Sequence, residues 1–233
     1  MDESLAARVS AVAALDEPSR RRLYDHVVRQ PGPVSRDEAA AALELPRTTA
    51  AFHLDRLVDE GLLDVSYERR TGRTGPGAGR PSKLYRRSER QVGVSLPERR
   101  YDLAGQLLAA ALAEAERSGD SPRAVLDRRA HELGKDLGNT ARTADSRRDN
   151  TAAVLRVLEA YGFEPRAEGG DVVLANCPFH ALAQEHTELV CGMNLCLLDG
   201  LLDGLGRTGL SARLDPTSAH CCVRLEPDRK RRP

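Results

Sequence analysis

The chain has 233 residues, with 35 Lys+Arg balanced by 35 Asp+Glu; 40% of it is apolar, only 3% aromatic, and it has no Trp. Zero net charge removes any bulk attraction to nucleic acid or an anionic membrane, so such attraction has to come from local clusters. No run of about 18 apolar residues exists to span a bilayer, and at about 100–200 residues per domain the length predicts two domains with cores of Leu, Val and Ala.

The first residues, MDESLAARVS, carry acids where a secretory leader has a basic patch and an apolar stretch, which predicts a cytoplasmic protein. All five Cys lie between 177 and 222. In a reducing compartment they are not expected to form structural disulfides.

Leu5 to Leu15 reads as a weakly amphipathic helix. Pro18 opens a second, with Leu23, Val27 and Val28 on its buried side, and the chain breaks at Gln30-Pro31-Gly32-Pro33. Ser35 and Glu38 have capping-box spacing, in which hydroxyl and carboxylate satisfy free amides at a helix start. The Ala-rich helix that follows permits close approach by a neighbour. After Leu45-Pro46 comes a helix over 47–60, ended by Gly61. Its buried stripe is Ala50, Leu54, Leu57 and Val58; Arg47, Thr48, Ala51, Phe52, Asp55 and Arg56 fall mainly on the other side. Leu62, Leu63 and Val65 read as a strand, with Lys83-Leu84-Tyr85 as its return.

Helix, tight turn, helix and a long-tipped hairpin is the winged helix-turn-helix arrangement, whose second helix suits the major groove. The hairpin is basic: Arg69, Arg70, Arg73, Arg80, Lys83, Arg86, Arg87 and Arg90 face a single acid, Glu89. Such a Gly-rich basic tip suits phosphate contact or minor-groove insertion. The candidate DNA-binding residues are Arg47, Thr48, Thr49, Ala51, Phe52 and Arg56 on the helix, and Arg73, Arg80 and Lys83 on the wing. Thr48 to Leu57 with Gly61-Leu62-Leu63 resembles the recognition helix and following turn of ArsR-like winged-helix regulators. Gly79-Arg80-Pro81-Ser82-Lys83-Leu84-Tyr85 resembles the wing signature of one branch of them.

Three helices are predicted over 96–160: Leu96 to Arg117, Pro122 to about Gly138, and one from Thr151, with a polar loop over 140–150. The first is the candidate dimer seam. A dimer is expected because one recognition helix reads few base pairs, and two-fold proteins read palindromic operators.

From 161 the pattern turns to strands (Gly162 to Pro165, Asp171 to Ala175, Leu210 to Leu214, Cys221 to Leu225) around a helix over Thr187 to Leu205, with Pro178 as a first helical residue. No Cys-x-x-Cys pair occurs, which excludes a zinc ribbon or a thioredoxin-like site. Cys191 and Cys196 lie about 140° apart on one helix, so they do not share a site. Cys221 and Cys222, if on a strand, face opposite sides. The candidate metal ligands are therefore Cys177, Cys191 and one of Cys221 and Cys222, with His180 or His186 available to complete the set. Cys196, among leucines, reads as a buried apolar thiol.

These cysteines are similar to the Cys-containing carboxyl domain of regulators of the Suf-operon repressor type. Cys177, Cys191 and Cys221/Cys222 look like the first, second and last positions of its iron–sulfur ligand pattern; Leu205-Gly206 stands where the third is expected. The resemblance implies an iron–sulfur cluster, [4Fe–4S] or [2Fe–2S], with a zinc site as the alternative. The fold class expected is α+β: a winged helix-turn-helix domain over 1–90, then over 91–233 a helical dimerisation region and a small α+β sensor domain. The expected function is a homodimeric, non-enzymatic, DNA-binding transcriptional regulator that senses redox or cluster status. A regulator with structural zinc and a small-molecule pocket is the other reading. Cys177 with a His180 or His186 base would be the only nucleophilic arrangement.

Overall fold

The computed structural model describes residues 4–68, 81–144, 150–206, 208–215 and 221–228. The chain divides into two compact units, Met1–Val94 and Ser95–Pro233.

In the first unit α1 (Leu5–Ala14), α2 (Pro18–Val28), α3 (Arg36–Ala42) and α4 (Arg47–Asp59) pack around Ala11, Leu23, Val27, Ala39, Ala50, Leu54 and Leu57. The capping box forms as the sequence predicts: Ser35 Oγ accepts from the Glu38 amide, and the Glu38 carboxylate accepts from the Ser35 amide. A Schellman turn ends α3, with the Leu45 amide on the Ala40 carbonyl and Glu44 at φ 54°, and sets up the sharp entry into α4. Gly61, at φ 69°, closes α4 in the same way. Strands β2 (Leu63–Glu68) and β3 (Ser82–Arg87) pair antiparallel, and β3 also pairs with β1 (Val34–Ser35), a two-residue strand too short to show in the sequence pattern.

The second unit contains α5 (Tyr101–Ser118), α6 (Pro122–Ala144), α7 (Asn150–Ala160), α8 (His180–Glu185) and α9 (Thr187–Leu205). A four-stranded sheet of order β4-β5-β7-β6 completes it: β4 (Pro165–Glu168), β5 (Asp171–Leu174), β6 (Leu210–Leu214) and β7 (Val223–Pro227). Several boundaries differ from those the sequence suggests. The helix expected from Leu96 starts only at Tyr101, α6 runs on to Ala144, and α8 begins at His180, with Pro178 ahead of it. Residues 145–149 of the expected loop lie outside the described residues. The buried face of α5 (Ala104, Leu107, Ala111, Ala115) belongs to the unit's own core, so that side is not a dimer seam.

The axis of this unit is the contact of α6 with α9. Gly134 and Gly138 face the backbone of Leu197 and Leu201, while Gly200 and Gly204 face the carbonyls of His131 and Lys135. A Cβ at any of the four would land on main chain, which has no rotamer to yield. Gly200→Ala is therefore expected to cost roughly 1–3 kcal/mol as an overpacking change. Gly105, on α5, has nothing within 4 Å of its Cβ position, and Gly105→Ala is expected to gain up to about 1 kcal/mol from helix propensity. Thermal unfolding should thus move in opposite directions for the two variants.

Candidate nucleic-acid interface and sulfur site

Helix α4, about 20 Å long at 1.5 Å per residue, buries Ala50, Leu54 and Leu57 and turns Arg47, Thr48, Phe52 and Arg56 outward. Phe52 is 67% exposed, an unusual place for a large aromatic ring. Thr49 and Ala51 are half-buried at the margin of this face. The cations are not loose. Arg47 reaches Asp37 of α3 at 2.7 Å, and Arg56 reaches Glu60 at 2.5 Å. Lys83, on β3, donates to Asp55 Oδ1 at 2.5 Å, and the Tyr85 hydroxyl donates to the same oxygen at 2.8 Å. One carboxylate thus ties α4 to the wing strand, a tether that the sequence pattern does not reveal because its partners are 28 and 30 residues away. Arg73 and Arg80 lie outside the described residues.

Partial burial opposes the charge on Asp55, but the hydrogen bonds from Lys83 and Tyr85 outweigh it and hold its carboxyl below the ordinary value of 3.8. Burial, then the bond to Asp55, pushes the Tyr85 phenol up. A depressed carboxyl pKa contributes stability above the unfolded value and loses it as pH falls through the folded one. Asp55→Asn is accordingly expected to give the first unit a shallower loss of thermal stability between about pH 5 and pH 3 than wild type. A pH series of melting curves measures this.

In the second unit the antiparallel register between β5 and β7, Val172 opposite Leu225, fixes a different site. Beyond that pair the Cys221 amide donates to the Leu174 carbonyl at 2.9 Å, which lays the bend before β7 against the end of β5. Cys177 lies in the junction between β5 and α8. Its sulfur is hydrogen-bonded by Cys221, which, together with the Phe179 amide and the Arg99 charge, holds the Cys177 thiol below its ordinary value despite burial. That shared hydrogen bond, with burial, drives Cys221 strongly upward, so Cys221 keeps the proton.

Cys191 and Cys222 are joined as a disulfide, Cα to Cα 6.2 Å. Two expectations are corrected here. A disulfide does form, and Cys221 and Cys222 are not on a strand with opposed faces. They precede β7 in a bend, so both turn toward α9. Asn194, one helical turn from Cys191 and fully buried, donates through Nδ2 to Cys221 Sγ at 3.3 Å; its Oδ1 has no hydrogen-bond partner among the described residues. The sequence pattern gave no sign of Asn194 beyond a polar residue inside an otherwise apolar helix.

Cys177, Cys191 and Cys221 are each less than a tenth exposed, whereas His180 and His186 are exposed at either end of α8. Cys196 is a half-buried free thiol against the core, its pKa raised by burial. In this disulfide-bonded state, no group of three or more His, Cys, Asp or Glu among the described residues is arranged to hold a metal ion. The donor chemistry would fit one: with the disulfide opened, three segments would supply four thiols, those of Cys177, Cys191 and Cys221 buried and that of Cys222 half-buried, the usual ligand set of an iron–sulfur cluster or a structural zinc ion.

Residues 15–66 match the helix-turn-helix domain family, covering α2, α3, α4 and the start of β2. No curated protein and no solved structure matches the chain significantly. The helix-turn-helix domain points to a DNA-binding transcriptional regulator and to a non-enzymatic role. No helix among the described residues is long and apolar enough to cross a membrane.

Proposed function

We propose that the chain is a cytoplasmic, homodimeric regulator of ArsR-like type, whose second unit takes up an iron–sulfur cluster at Cys177, Cys191, Cys221 and Cys222 and adjusts operator affinity to redox or cluster status. The observation that carries this reading is the meeting of four cysteines from a strand–helix junction, a helix and a bend at one buried place. In a reducing compartment a disulfide at such a place is redox-sensing more often than structural. Opening the Cys191–Cys222 bond takes two electrons and two protons from a dithiol and yields two thiols, which frees the full donor set. A cluster bound there would supply one-electron chemistry and sensitivity to oxidants.

On the DNA side, Thr48, Phe52, Arg47 and Arg56 of α4 face the duplex, with Thr49 and Ala51 at the edge and Lys83, Arg73 and Arg80 from the wing. Phe52 supplies apolar contact of the kind made with a thymine methyl group. The dimer follows from the short reach of one recognition helix. Its support is an apolar stripe on α1, where Leu5, Val9 and Val12 remain 39–47% exposed at helical spacing.

A second reading keeps the same thiols as a closed zinc site and places an organic ligand in a cavity of about 390 Å³ between α6 and α7, lined by Leu137, Ala141, Val157 and Tyr161. Anaerobic purification separates the two. The cluster reading expects a brown protein with iron and acid-labile sulfide that Cys177→Ser loses while still folding; a colourless protein with about one zinc per chain overturns it.

The DNA face is tested by anisotropy titrations against a duplex selected from genomic fragments at several salt concentrations. Phe52→Ala is expected to weaken binding about tenfold with the salt slope unchanged, as for a base contact. Arg47→Ala is expected to flatten that slope by about one, as for a phosphate contact.

A further inference from the structure

The chain leaves the first unit at Val94, and the next residues form an irregular strap against the Cys177 junction. Arg99 Nη1 donates to Asn176 Oδ1 at 2.5 Å, to the Glu98 carbonyl at 3.0 Å and to the Cys177 carbonyl at 3.3 Å. Asn176, only 6% exposed, returns two bonds through Nδ2, to the carbonyls of Glu98 at 3.0 Å and Gly162 at 2.6 Å. The Arg100 amide donates to the Pro178 carbonyl at 3.0 Å, and the Ala181 amide to the Tyr101 hydroxyl at 3.4 Å.

Residues 176, 177, 178 and 181 are thus each bonded to the strap. The Cys177 main chain cannot move without stretching bonds that end on Glu98, Arg99 and Arg100. The same junction is tied to the bend before β7, where the Cys221 amide donates to the Leu174 carbonyl at 2.9 Å and Cys221 is next in sequence to the disulfide-forming Cys222. Opening or closing the Cys191–Cys222 bond therefore acts on the bend that holds Cys221, on the end of β5 and the Cys177 junction through the bond from the Cys221 amide to the Leu174 carbonyl, and on the strap through Asn176 and Arg99. A buried amide with both ends engaged, beside a sulfur that can change partners, is a discrete element of the kind coupling requires.

We infer that Asn176 and Arg99 are positioning residues that carry the state of the sulfur site into residues 95–101, the segment by which the second unit joins the first, and so set the affinity of the DNA-binding unit. This rests on the sensing role proposed above.

The test uses the full chain in two states. One is reduced with a dithiol; the other is oxidised with hydrogen peroxide, in which Cys191 and Cys222 give up two protons and two electrons to form the disulfide while the peroxide takes them up and becomes two waters. DNA affinity is measured in both states, and the disulfide is scored by alkylation and mass spectrometry. Wild type is expected to show an affinity ratio between states within the roughly 5–150-fold range of allosteric couplings. Arg99→Gln and Asn176→Ala are expected to bring that ratio close to one while the disulfide still forms and opens. A purely structural role would weaken both states alike and leave the ratio at its wild-type value, and that result overturns the inference. Arg99 is half-buried and its removal leaves no core cavity, so Arg99→Gln decides the matter if Asn176→Ala does not fold. A wild-type ratio of one overturns the sensing role itself, and the strap's part in it.

Discussion

The sulfur site depends on a register. β5 and β7 pair antiparallel with Val172 opposite Leu225, and this pairing, with the bond from the Cys221 amide to the Leu174 carbonyl, brings a junction at 177 beside a bend at 221, more than forty residues later. A slip of one residue would turn every side chain of β7 to the other face and carry the cysteines off α9. The pairing is held by an apolar layer in which Val172, Leu174, Val223 and Leu225 are all buried. The chemistry of the site is therefore secured by the hydrophobic core rather than by the cysteines.

Helix α9 completes the site from the other side, and its position is as strictly set. The four glycines between α6 and α9 let the two backbones touch, which leaves α9 little freedom to rotate or slide. That rigidity presents Cys191 to Cys222 and Asn194 to Cys221 from adjacent turns of one helix. An unpartnered buried amide oxygen such as Asn194 Oδ1 costs about 1–3 kcal/mol. An apolar side chain would avoid that cost but could not donate to the Cys221 sulfur. The core thus gives up some stability where it meets the Cys221 sulfur.

Much of this was legible in the sequence where the cause is local. The capping box at Ser35, the stop at Gly61, the buried stripe of α4 and the limits of α9 each follow from residues within a turn or two. What could not be read is set by distant partners. The two-residue β1 exists only because β3 lies beside it. Asp55 looked like one more polar residue on the outer face of α4 until Lys83 and Tyr85 arrived from the wing. The apolar pattern from Leu96 onward suggested a helix, but Arg99 and Arg100 find acceptors at Asn176, Cys177 and Pro178, and the chain becomes helical only at Tyr101. The adjacent Cys221 and Cys222 were read as a strand pair with opposed faces; a bend before β7 turns both to one helix. The sequence suggested Cys177 and Cys191 together with one of Cys221 and Cys222; that both members of the adjacent pair turn to α9, that Cys191 pairs with Cys222, and that His180 and His186 are exposed could not be read from it.

The charge balance of the DNA-facing unit bears on how a sensor of this kind would act. Three of its candidate cations, Arg47, Arg56 and Lys83, are already paired with Asp37, Glu60 and Asp55. A phosphate that recruits one of them competes with a carboxylate, so the non-specific electrostatic part of binding is smaller than the count of basic residues suggests. More of the affinity then falls to fitted contacts such as those open to Thr48 and Phe52, which depend on the placement of α4 in the groove. Coupling between sites is typically worth about 1–3 kcal/mol. Against a strongly cationic face, bound to DNA under all conditions, so small an amount changes occupancy little. Against a face on which Arg47, Arg56 and Lys83 are neutralised at home, the same amount would weigh more in deciding whether an operator is filled.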